Sequence, residues 1–299
     1  MDVRDKNQQA RQNGAHAREA TLRDVSDAAT REQAATPARG PIISVKDVRH
    51  AFGGVVAIEG VSLDIFAGEF VSLLGPSGCG KSTLLNVIGG LLNATSGQVT
   101  VCGSQMRGAP RPDKISFVFQ ESTLLPWYTI RENFHVGFEF QGVPKSERDG
   151  RTDAALESVG MGGFDQHYPA QLSVGMRQRV NMARGIATGA DIILMDEPFA
   201  ALDEQTRMVL GEDLSTLLAR TGKTILFVTH SLVEAVYLSS RIVVMTARPT
   251  RVKRIIEIAE PHPRAPEFML TPRFNEWRNE CYMLLRDEIR QTMRAQPPT

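Results

Sequence analysis

Short aliphatic and β-branched runs recur along the chain at residues 61–66, 70–74, 115–119, 192–195, 224–228 and 242–245. Their lengths are those of strands, and most lack the polar alternation of a half-solvated sheet. Such runs predict strands covered on both faces. Ile42, Ile43, Ser44 and Val45 open the series after Pro41. Helical spacing of apolar residues marks 81–91, 147–159, 177–188, 204–219 and 231–238. Strands alternating with helices predict an α/β fold around a mainly parallel sheet. Over residues 121–179 the strand signals vanish, which predicts a helical insert.

The two ends read differently. Residues 1–40 hold scattered charges, Gln and Ala but almost no large aliphatics, so they cannot offset their ordering entropy and are expected to be disordered. Residues 251–299 read as an extension: a short strand at 252–258, a Pro-rich linker, and a helix on which Phe274, Trp277, Cys281, Leu284 and Leu285 recur at helical spacing. That helix fits packing on its own domain or a surface for a partner.

Charge and cysteine content narrow the classes. The chain carries 34 basic and 34 acidic residues, a balance that argues against a uniformly positive surface and hence against nucleic acid as a partner. Cys79, Cys102 and Cys281 show no metal-ligand spacing and fit a reducing compartment. No apolar run reaches the roughly 20 residues that span a bilayer, so service at a membrane requires docking to something else.

The sharpest motif is Gly75-Pro76-Ser77-Gly78-Cys79-Gly80-Lys81-Ser82-Thr83, between an apolar strand and a helical pattern. That context is what a phosphate-binding loop requires. Backbone N–H groups and the helix N-terminus face the phosphates. Lys81 is expected to reach the β- and γ-phosphates of ATP, and the Ser82 hydroxyl to coordinate Mg²⁺. The second motif is the aliphatic run 192–195 ending in Asp196 and Glu197. An unpaired buried charge is costly, so two carboxylates there predict chemistry: Asp196 for Mg²⁺ and Glu197 as the base for an attacking water.

Further segments follow in order: Gln120 after the strand at 115–119, Leu172-Ser173-Val174-Gly175-Met176-Arg177-Gln178, Ala200-Ala201-Leu202-Asp203, and His230 after the strand at 224–228. Taken singly, Ser173 and Asp203 fit ordinary helix N-caps, and Ser231-Leu232-Val233-Glu234 fits a capping box. Together with the phosphate loop they resemble the ABC ATPase family over about residues 42–250. The resemblance implies a P-loop NTPase (RecA-like) core with a mainly parallel sheet, an antiparallel β subdomain and a helical insert, within a domain at 41–250. It implies ATP and Mg²⁺ as ligands, Gln120 as the Q-loop residue beside the metal, and His230 as the switch histidine. It sets Phe52 against adenine, and Ser173, Gly175 and Asp203 at the ATP of a second ATP-binding subunit, an identical copy or a relative. Val174 stands where the family signature usually has a glycine.

The segment from Glu121 through Leu124, Leu125, Pro126, Trp127 and Tyr128 to Asn133, together with residues 172–180 and 246–251, is similar to importers of nitrate, taurine, alkanesulfonates and related small solutes. That likeness implies a separate permease meeting Leu125, Pro126, Trp127 and Tyr128. It also implies an extracytoplasmic binding protein as an indirect partner, and a peripheral place on the cytoplasmic face of the membrane. Trp127 also fits the core of the helical insert. The rival classes are a soluble ATPase doing mechanical work on nucleic acid or protein, and a P-loop kinase.

Overall fold

The computed structural model of the chain describes residues 40–109, 111 and 113–295. The disorder expected for residues 1–40 falls, apart from Gly40, outside the described residues. The ordered chain opens with β1 (Ile43–Phe52) and β2 (Val55–Ile65), an antiparallel hairpin turning at Gly53 and Gly54. Then come β3 (Phe70–Leu74), α1 (Lys81–Ile88), β4 (Ser96–Val101) and β5 (Ser104–Gln105). After β6 (Ile115–Val118) follow α2 (Ile130–Phe140), α3 (Lys145–Glu157) and α4 (Val174–Ala187). The second half alternates β7 (Ile192–Asp196), α5 (Glu204–Thr221), β8 (Thr224–Thr229), α6 (Leu232–Leu238) and β9 (Arg241–Met245). It closes with β10 (Val252–Glu257) and α7 (Pro272–Ala295).

Two sheets result. One is antiparallel, ordered β2-β1-β4-β5; the other runs β10-β9-β3-β8-β7-β6, with only β10 antiparallel to its neighbour. The continuous apolar runs are the buried parallel strands: every residue of β3 and β8 is buried. One apolar core joins the antiparallel sheet to a face of the parallel sheet through Leu84, Leu85 and Ile88 of α1. A second core covers the other face with α5, α6 and α7. Phe274, Cys281 and Leu285 of α7 are buried there, so the final helix packs on its own domain.

The expected strand at 61–66 is the last part of a longer β2. Its buried and exposed positions alternate, the pattern of a strand with one wet face, and Glu59 and Gly60 break the apolar run. β4 begins Ser96-Gly97-Gln98 and β5 has two residues, too short and polar to stand out. The helical insert has its own apolar core of Ile130, Phe134, Phe138, Leu156, Leu172 and Val180. Arg131 ties it together with ion pairs of 2.6–2.9 Å to Asp149, Asp153 and Asp165.

Candidate functional site

In the parallel sheet, Leu74 pairs with Thr229, Val228 with Asp196, and Met195 with Val118. The carboxyl ends of β3, β8, β7 and β6 therefore form one edge, where ligands of open α/β sheets bind. The phosphate loop leaves β3 there, Asp196 ends β7, and His230 and Gln120 follow β8 and β6.

The loop's shape is fixed by close packing. Gly80, at φ 125°, would carry a Cβ 3.0 Å from the Ala57 carbonyl and 3.3 Å from Thr250 Cγ2, so only glycine fits. Gly80 is the N-cap of α1, and no side chain caps that helix. Its first N–H groups have no partner within the helix, and with the helix dipole they suit an anion. Lys81 is buried, and its ammonium donates to the carbonyls of Gly75 and Pro76 at 2.9 Å each. The expectation for Lys81 was reach toward phosphate; here two of its three donors hold the loop that would cradle it. Cys79 is buried and fills space against Gly75.

Beside the loop the Ser82 hydroxyl donates to Asp196 Oδ1 at 2.8 Å. Burial raises the Asp196 pKa, opposed by that hydrogen bond. Two hard oxygens at one point, one of them a desolvated carboxylate, suit Mg²⁺, which takes few protein ligands and completes its shell with phosphates and water. Among the described residues there is no cluster of three or more His, Cys, Asp or Glu side chains for a metal.

Glu197 adopts φ 43°, a left-handed backbone that a non-glycine residue holds only at a cost of about 1–3 kcal/mol. Its N–H is tied to Val228 O at 3.0 Å and its carboxylate pairs with His230 Nδ1 at 3.0 Å. The Glu197 carboxylate thus meets the residue that follows β8. Behind His230, Thr229 donates to Glu234 at 2.5 Å, and Arg207 lies 3.5 Å from the same carboxylate. Burial raises the Glu234 pKa, countered first by the Thr229 hydrogen bond and then by Arg207. Gln120 is exposed at the end of the row. Phe52, about half exposed, lies edge-on to His50 with ring centres 4.5 Å apart, at the tip of the hairpin whose Ala57 touches the loop.

The remaining expected residues lie in a second group. Ser173 caps α4, accepting from Met176 N at 3.2 Å. Asp203 caps α5, accepting from the Thr206 N–H at 2.9 Å and its hydroxyl at 2.7 Å, bonds that lower the Asp203 pKa. A Cβ on Gly175 would meet only Leu202 and Thr206, at 3.7 and 3.8 Å. Among the described residues, none therefore requires a glycine at 175. Val174 is half exposed on the same turn.

The supporting roles of three residues escaped the sequence reading. Buried Asn133 holds the loop before α2: its side-chain oxygen accepts from Leu125 N at 2.7 Å, and its amide donates to the carbonyls of Leu125, Tyr128 and Thr129. Arg184 of α4 donates to Thr123 O and Thr123 Oγ1, fastening the segment after Gln120 to the helix that Ser173 begins. Arg248 donates to Gly78 O at 2.6 Å. The capping pair Thr129 and Glu132 could have flagged the Asn133 turn; no local pattern announces Arg184 or Arg248.

Comparison with known proteins decides the family. The ABC transporter family profile matches residues 58–200, a stretch that holds the phosphate loop, Gln120, Ser173, Gly175, Asp196 and Glu197. An ABC transporter ATP-binding protein of Methanocaldococcus jannaschii, itself uncharacterized, is 44% identical over 240 residues, which are 80% of this chain and 88% of that protein. The chain belongs to the ABC transporter ATP-binding family. A taurine import ATP-binding protein of Roseobacter denitrificans is 44% identical to this ABC protein over 201 residues, 67% of this chain and 74% of the relative. A solved dimeric ATP-binding cassette in a post-hydrolysis state, bound to ADP and Pi, is 35% identical with a TM-score of 0.66, covering 73% of this chain and all of that one. This ABC protein is an ATPase with the α/β cassette fold. Among the described residues no helix is long and apolar enough to cross a membrane.

Proposed function

We propose that this ATPase powers an importer, and that two copies close head-to-tail around two ATP molecules. Within each site Lys81 and the backbone of Gly75, Pro76, Ser77, Gly78, Cys79, Gly80 and Thr83 hold the phosphates, while Phe52 stacks on adenine. Ser82, Asp196 and Gln120 would hold Mg²⁺, which would supply positive charge against the phosphates. Glu197 takes up a proton from the attacking water, and His230, paired with it, keeps that carboxylate aimed. The Ser173 hydroxyl, the N–H groups from Gly175 onward and the α4 dipole face the γ-phosphate held by the other copy. Asp203 lies at the same seam. The spare room at Gly175 supports this reading, because a close approach from outside the chain explains a glycine there.

Coupling to a permease rests on one observation: Trp127 is 68% exposed, on a loop pinned by buried Asn133 a few residues after Gln120. This removes Trp127 from the core of the insert. Leu125, Pro126, Trp127 and Tyr128 then form the contact with a membrane subunit, and ATP-driven motion reaches it through the 120–128 segment. The protein sits on the cytoplasmic face of the membrane. The solute is a small anion or zwitterion such as taurine, a sulfonate or nitrate, delivered to the permease by an extracytoplasmic binding protein. An affinity pull-down from gently solubilised membranes, read by mass spectrometry, tests this. Recovery of a multi-span permease is expected. Soluble partners alone, with no protein in the membrane fraction, would transfer the assignment to a mechanical ATPase.

A further inference from the structure

We propose that Arg248 is a positioning residue for the nucleotide, holding the phosphate loop in its binding shape, and that the C-terminal helix holds Arg248 in turn through Glu288. The inference rests on the ATPase reading and adds a residue outside the family-matched stretch 58–200.

The chain of contacts is continuous. Glu288, on α7, is buried. One of its carboxylate oxygens accepts from Ala247 N at 2.8 Å and the other from Lys253 Nζ at 2.7 Å. Ala247 is the residue before Arg248, whose guanidinium donates to Gly78 O at 2.6 Å. The turn from 246 to 251 is also fastened to the hairpin, with Thr250 N donating to Ala57 O at 2.9 Å and Arg251 paired with Glu59 at 2.7 Å. The turn therefore has little freedom, and the arginine it carries is aimed at one carbonyl.

That carbonyl matters because of where it lies. A phosphate loop works when its carbonyls face away and its N–H groups face the anion. Gly78 has φ +70° and open space where a Cβ would go, so nothing on the residue itself stops its peptide from rotating. The next N–H, of Cys79, closes a turn onto Pro76 O at 3.3 Å, and Pro76 O also receives Lys81. Holding Gly78 O outward thus fixes the same peptide plane that orders the turn and the lysine. A guanidinium at this spot also adds positive charge beside a site for polyphosphate.

The test uses the full chain with Arg248→Ala, Arg248→Lys and Glu288→Ala, measuring ATPase against Mg-ATP, binding of a fluorescent ATP analogue, and thermal melting. Arg248→Ala is expected to raise KM and the analogue's Kd about three- to ten-fold, the scale of one exposed charge-assisted hydrogen bond, with kcat within about twofold. Because Arg248 is exposed, melting stays at the parental temperature. Arg248→Lys recovers part of the affinity. Glu288→Ala moves KM the same way, and Glu288→Gln replaces it if the alanine variant does not fold. Parental KM in Arg248→Ala overturns the proposal. A lower melting temperature with parental KM in the Glu288 variant overturns the helix link. Lys81→Ala serves as control: hydrolysis that survived it would count against the assigned phosphate loop rather than against Arg248.

Discussion

The two halves of the site differ in how finished they are within one chain. At the strand ends the functional groups already engage one another: Ser82 with Asp196, Glu197 with His230, and Lys81 with the loop it stabilises. At the starts of α4 and α5 the groups are occupied in capping their own helices, through Ser173 to Met176 and Asp203 to Thr206. The first half is strained and partly desolvated, with Glu197 in a left-handed backbone and Asp196 raised by burial. The second is exposed and relaxed. Strain that local packing does not explain points to chemistry at the residue itself. Relaxed caps leave their helix N-termini free to meet an anion brought by another molecule, as the proposed head-to-tail pairing requires.

The comparison is broken most severely at Glu197. Glu197→Gln keeps the shape and removes the proposed base, so kcat should fall by about 10²–10⁴-fold while Mg-ATP still binds. A fall in nucleotide affinity as large as the fall in kcat would reassign Glu197 to binding. The next largest effect tests whether the outward half serves a second chain. Lys81→Ala and Ser173→Arg should each be nearly inactive alone. Mixed, they leave one intact site per heterodimer, and activity should return to at most about half the parental value per dimer. Absence of recovery, with mixed dimers verified by tag pull-down, would mean that each chain completes its own site.

Why one half was legible and the other less so follows from the same difference. The phosphate loop and the pair Asp196-Glu197 announce themselves because their chemistry forces unusual residues into apolar surroundings: three glycines after a buried strand, two carboxylates at the end of another. The buried parallel strands were equally plain, as unbroken apolar runs. Ser173, Asp203 and His230 obey ordinary helix-start rules, so only their order along the chain, and the resemblance it carries, marked them. β4 and β5 stayed hidden because antiparallel strands with a wet face need few apolar residues. Arg184, Arg248 and Glu288 act over separations of 61, 170 and 41 residues, which no local pattern encodes.

A smaller effect separates packing from function in the outward half. Gly175→Ala places a methyl where 3.7 Å of room exists and removes a glycine from a helix, so stability should hold or rise by up to about 1 kcal/mol. ATPase should nonetheless drop several-fold if phosphate from a second chain approaches that backbone. Unchanged activity together with raised stability would remove Gly175 from the site.

The smallest change expected in the purified protein is at Trp127. Its ring is two-thirds exposed, and the loop that carries it is held by the Asn133 side chain rather than by the ring. Trp127→Ala should therefore leave the melting temperature within about 1–2 °C, the scale of a surface substitution, and basal ATPase within about twofold. Transport in reconstituted vesicles, by contrast, should fall clearly, since aromatic anchors at an interface commonly contribute about 2 kcal/mol or more. Loss of transport with ATPase intact sets the permease contact beside Gln120, so that the exposed loop, like the caps of α4 and α5, is completed by another chain. Equal losses in both assays would return Trp127 to the fold of the insert and leave the outward-facing half with a single partner, the second cassette.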